Sequence, residues 1–183
     1  MINFIVYIIK TLFKILGFSA GPQDLPHSKL LLYFCAFLEI LSGILISNAV
    51  IKLVAVKKEV SFSNLNNIDF FILGFVKVII LILCVYGLLL YFNKPARFIQ
   101  TATAMLGISI ILSGFFLIAV MLLQITGFSF VVFFIILYWN FMAITNIFTM
   151  SFEIGIIKAG FLSLIYMLLQ YNVNDIIFQY LAK

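Results

Sequence analysis

The chain has 183 residues, of which 66% are apolar and 9% charged, with a formal net charge of +5. Soluble domains carry roughly 25% charged residues, so this composition excludes a water-solvated globule. Lys and Arg stand singly at the ends of apolar runs rather than clustered on one surface. That spacing excludes a nucleic-acid-binding protein and leaves membrane anchoring and contacts with anionic headgroups.

Residues 1–18 read as an amphipathic interfacial helix. Lys10 and Lys14 are four apart on one face, with Ile, Leu and Phe around the rest, the pattern of a helix lying in the membrane plane. A signal anchor is the alternative, but a secretory signal places its charge first, ahead of an unbroken apolar region. Residues 19–29 form an elbow containing Pro22 and Pro26 together with Gln23, Asp24 and His27. Proline cannot continue a helix interior and pushes its predecessor to extended geometry.

A transmembrane bundle is expected over residues 30–171, all-α, with spans at 30–51, 70–92, 98–123, 128–148 and 154–170. The first four are long enough to cross a hydrocarbon layer of roughly 30 Å at about 1.5 Å per residue. The fifth is less clear because Lys158 lies near its start and the preceding loop is short; five spans are favoured over four. The first loop carries Lys52, Lys57, Lys58 and Glu59, then Ser and Asn residues, with Asn67 or Asp69 as helix cap. Pro95 suits the first turn of the third span. Gln124 to Gly127 make a tight turn, and residues 172–183 form a mixed C-terminal tail.

With five spans and a cytoplasmic N-terminus, the inner side holds Lys10, Lys14, Lys29, Lys94, Arg97 and Lys158. The outer side holds Lys52, Lys57, Lys58 and Lys183. The balance favours that orientation weakly under the positive-inside rule.

Two charges sit inside apolar spans. Glu39 in the first and Lys77 in the second fall near the midplane of antiparallel neighbours, and each alone costs about 2.5–3.5 kcal/mol on insertion scales. An intramembrane ion pair is expected, with Asn140 or Asn146 as neighbours. It fixes helix register or forms a relay or gate; a single pair without further acids favours the first. Gln100, Thr103, Gly107 and Gly114 share one face of the third span, a packing surface of small and hydrogen-bonding residues. Gly155 and Ala159 repeat the small-residue spacing in the fifth. Asp24, Arg97 and Gln100 are the candidates for interaction at the cytoplasmic face.

No enzyme is expected. His27 is the one histidine, a lone loop residue without a carboxylate partner or second ligand; no Ser/His/Asp set, Gly-rich phosphate loop or H-E-x-x-H occurs. Cys35 and Cys84 lie in apolar runs without a metal or redox spacing. No cofactor or metal is expected. The expected partners are membrane lipids and either a membrane protein or a second copy of the chain. The alternative is a small transporter or channel using Glu39 and Lys77.

Two strings, Gly21-Pro22-Gln23-Asp24-Leu25-Pro26 and Arg97-Phe98-Ile99-Gln100-Thr101-Ala102-Thr103-Ala104, resemble a group of uncharacterised multispan inner-membrane proteins of proteobacteria. The layout of amphipathic N-terminus, Asp/Gly/Pro elbow and about five spans is also similar to the Yip family. Eukaryotic members of that family act in vesicle traffic and bind small GTPases. This chain has Gly21-Pro22 before Asp24-Leu25 instead of that family's Asp-Leu-Tyr-Gly-Pro order, so GTPase binding does not carry over. The resemblance implies no enzyme activity and a bacterial inner-membrane location.

Overall fold

The computed structural model describes residues 2–57, 66–126 and 129–181. Among them are six α-helices and no strand: α1 (Ile2–Leu16), α2 (Lys29–Lys57), α3 (Asn67–Tyr91), α4 (Phe98–Thr126), α5 (Ser129–Phe152) and α6 (Ile156–Leu181). Single 3-10 turns at Pro22–Asp24 and Pro95–Arg97 lead toward α2 and α4. The fold is all-α, and the five helices α2 to α6 are long and apolar enough to cross a membrane.

The ends of the helices follow local chemistry. α1 stops at a Schellman motif, in which Ser19 N–H donates to Lys14 O and Phe18 N–H to Ile15 O, with Phe18 left-handed at φ 59°. α3 stops the same way at Asn93, φ 56°. Its start is capped by Asn66, one residue before the sequence expectation; Asp69 Oδ2 accepts the Asn66 N–H at 2.7 Å.

Four helices outrun their expected ends. α2 continues to Lys57 rather than residue 51, and α4 to Thr126 rather than 123, so that Gln124 to Thr126 are helical and not a turn. α5 continues to Phe152 rather than 148, and α6 runs unbroken to Leu181 through the tail expected at 172–183. Hydropathy marks membrane depth, not helix ends. No Gly or Pro interrupts residues 161–181, and Asn172 satisfies itself on Leu168 O at 2.7 Å. Most of the expected first loop (58–65), part of the α4–α5 turn (127–128) and Lys183 lie outside the described residues.

α2, α4, α5, α6 and α3 pack in that order as a ring, closed by α3 against α2, with α4 also touching α3. α4 is the hub: 44% of its most apolar window is buried, against 22–28% in the other four. Outward faces carry Leu30, Tyr33 and Phe37 on α2, Leu83 on α3 and Phe161 on α6, all exposed. So large an apolar surface is tolerable only in hydrocarbon. α1 rests on α4 and α5 through Ile8, Leu12, Ile15 and Leu16, all buried. Gly107 makes room for it: a Cβ there would lie 2.6 Å from Leu12 Cδ2. Gly114 meets nothing within 4 Å, so the small-residue face of α4 receives a neighbour at Gly107 and not at Gly114. Gly155 is likewise open and precedes α6, whereas Ala159 is fully buried.

Candidate functional site

The arrangement begins with Gly74 on α3. A Cβ there would stand 3.3 Å from Ile40 Cα, so the missing side chain lets α3 lie close against α2. One turn further along α3 is Lys77, and beside Ile40 is Glu39. Lys77 Nζ donates to Glu39 Oε1 at 2.5 Å, and Ser109 Oγ on α4 donates to the same oxygen at 2.7 Å. Three helices therefore meet on one carboxylate oxygen.

Burial is unequal across the pair. The Glu39 side chain is 2% exposed and that of Lys77 34%. Lys77 borders a cavity of about 380 Å³ with Ser47, Ser113, Asn174 and Asp175. It also borders a second, of about 190 Å³, with Ser109, Ser113 and Asn140. Both lie toward the C-terminal part of α2 and the N-terminal part of α3, away from the elbow. The ammonium thus reaches a polar vestibule while its partner carboxylate stays inside. Gln170 on α6 closes the far side, donating to Tyr166 Oη at 3.3 Å and to Lys77 O at 3.5 Å. Glu39 Oε2 and Gln170 Oε1 are buried without a hydrogen-bond partner among the described residues.

Among the described residues, the interior on the elbow side of the vestibule is packed with apolar side chains. Val85, Leu89, Leu106, Ile108, Ile147 and Phe148 are each at most 1% exposed and fill the interior on the elbow side. Asn140 shares the smaller cavity with Lys77, whereas Asn146 points elsewhere and donates to Ala20 O at 3.4 Å.

At the elbow end the three surface candidates are engaged within the chain. Gln100 Nε2 donates to Gln23 O at 3.1 Å and to Leu25 O at 2.7 Å. Asp24 Oδ2 accepts the Gly21 N–H at 2.9 Å, and Asp24 O accepts from Tyr7 Oη at 2.8 Å. Arg97 donates to Met150 O at 3.0 Å and Ser151 O at 3.2 Å, covering terminal carbonyls of α5. Its guanidinium also pairs with one oxygen of Glu153, and Lys94 pairs with the other. The Lys94 hydrogen bond first, and then Arg97, hold the exposed Glu153 carboxyl below its ordinary range. Thr103 is fully buried and bonds its own helix at Ile99 O.

The sequence reading missed Ser109, Gln170, Tyr166 and Gly74 around the ion pair; at the end of α1, Trp139 Nε1 of α5 donates to Leu16 O at 3.0 Å. Only the Gly74-x-x-Lys77 spacing, which puts a contact glycine on the face of the charged residue, was available as a signal. Among the described residues no group of three His, Cys, Asp or Glu is placed to hold a metal ion.

Five apolar helices with outward hydrocarbon faces and an inward ion pair define an integral helical membrane protein. No known protein family, curated protein or solved structure matches the chain.

Proposed function

We propose that this protein is a non-enzymatic scaffold or accessory subunit of a bacterial inner membrane, working through contacts with a membrane protein partner or with lipids. The observation that carries the reading is the apolar plug at Leu89, Leu106, Ile147 and Phe148, which leaves the Glu39–Lys77 pair as a fastener of α2, α3 and α4. The elbow end, with Lys10, Lys14, Lys29, Lys94, Arg97 and Lys158, faces the cytoplasm under the positive-inside rule. The Yip-like resemblance supports the architecture and is not extended to GTPase binding. Crosslinking in native membranes followed by purification in mild detergent should recover a stable membrane-protein partner or a second copy; a clean monomer counts against the reading.

The one-sided vestibule ending on Lys77 favours a second reading, a small transporter seen open to one side. That reading requires proton- or ion-dependent flux in proteoliposomes that is lost in Glu39→Gln. Absence of flux in the wild type removes it.

A further inference from the structure

We propose that the slot between α1, α2 and α4 holds one acyl chain of an anionic phospholipid, with its headgroup beside Lys29 and the lysines of α1. The slot has a volume of about 460 Å³; its walls include Ile8 and Leu12 of α1, Phe34 and Leu38 of α2 and Ile111 of α4, and its one hydroxyl is Ser28. It lies on the elbow side of the ion pair and shares no residue with the vestibule below Lys77.

Shape selects the occupant. Along α2 the slot runs from Leu30 to Leu38, about 12 Å at 1.5 Å per residue. Apart from the Ser28 hydroxyl and the Cys35 thiol its lining is apolar. An apolar slot of that length suits a single hydrocarbon chain, and a helix lying there instead is the outcome that the chain–chain crosslink below detects.

Charge selects the headgroup. Tyr7 reaches the elbow through its bond to Asp24 O, and Lys10 and Lys14 follow Tyr7 on the same face at helical spacing. Lys10 directly follows Ile9, and Lys29 stands between Ser28 and Leu30; Ile9, Ser28 and Leu30 are all residues of the slot wall, so these two lysines adjoin the slot. All three lysines are exposed, and none has an ion-pair partner among the described residues. Within a bilayer an acyl chain gains no hydrophobic free energy by leaving bulk lipid. Retention therefore depends on packing in the slot and on the negative headgroup at its rim.

This deepens the lipid-contact part of the reading above and rests on the chain's lying in a bilayer. Failure to recover a protein partner would sink the scaffold role alone. Full-length protein is reconstituted in phosphatidylcholine vesicles with phosphatidylglycerol, one lipid at a time carrying an acyl-chain diazirine, and labelled peptides are mapped after irradiation. The phosphatidylglycerol probe should label Phe34 and Ile111 peptides above the exposed α6 face at Ile157 and Phe161. Its preference over the phosphatidylcholine probe should be about fivefold, equivalent to one lysine–headgroup contact. Ile111→Trp should abolish slot labelling, and Lys29→Gln should reduce the preference. Even labelling around the bundle, equal labelling by the two probes, or a chain–chain crosslink through Phe34 would overturn the proposal; the wild-type map decides without any variant.

Discussion

Replacing Lys77 by Met leaves Glu39, 2% exposed, as an unpaired charge among apolar helices. Removing one partner of a buried pair in this way costs about 3–5 kcal/mol. Glu39→Gln is milder, because the amide oxygen still accepts from Ser109 and the freed ammonium remains hydrated in the vestibule. Losing the charge-assisted part of that bond costs about 1–2 kcal/mol. At about 2–4 °C per kcal/mol for a chain of this length, Lys77→Met lowers Tm by about 6–20 °C and Glu39→Gln by about 2–8 °C. The double variant leaves no buried charge and should return to within about 1 kcal/mol of wild type, a strong coupling by the double-mutant cycle. The chain has a single tryptophan, Trp139, so its fluorescence in detergent reports unfolding without added probes. The reasoning fails if Lys77→Met is no more damaging than Glu39→Gln, or if the double variant loses the sum of the single losses.

Gln100→Leu strands the Gln23 and Leu25 carbonyls and should destabilise the elbow by about 1–3 kcal/mol, seen as faster hydrogen exchange at residues 21–26 with the α3 core unchanged. Gly107→Leu drives a side chain into Leu12 and should lift α1 from α4 while the other helices stay packed; a red shift of Trp139 emission with a preserved helical spectrum is the expected result. Glu153 ionises below its ordinary value of 4.5 because of Lys94 and then Arg97. Its contribution is thus present above that value and lost as pH falls through the lowered one. The Tm difference between wild type and Glu153→Gln should be level from pH 7 to about pH 5 and shrink below 4.5; a difference that grows on acidification would contradict the clamp.

The membrane helices were legible because a run of apolar residues records its solvent directly, and Glu39 and Lys77 stood out because lone charges are costly there. What surrounds them was not legible. Ser109 is an ordinary serine on an apolar helix until α4 packs against α2, and Gln170, the last residue of the expected fifth span, reaches Lys77 only because α6 packs against α3. The elbow was hidden for another reason. Trp139, Asn146 and Gln100 all donate to backbone carbonyls, and a carbonyl acceptor leaves no mark on residue identity.

The bond from Trp139 to Leu16 joins positions 123 residues apart. During synthesis α1 emerges long before its docking surface on α5 exists. At about 5–20 residues per second, it waits roughly 6–25 s for α5. Throughout that interval its oily face must be sheltered by headgroups or by the insertion machinery, so assembly of this bundle finishes by folding α1 back onto helices made after it.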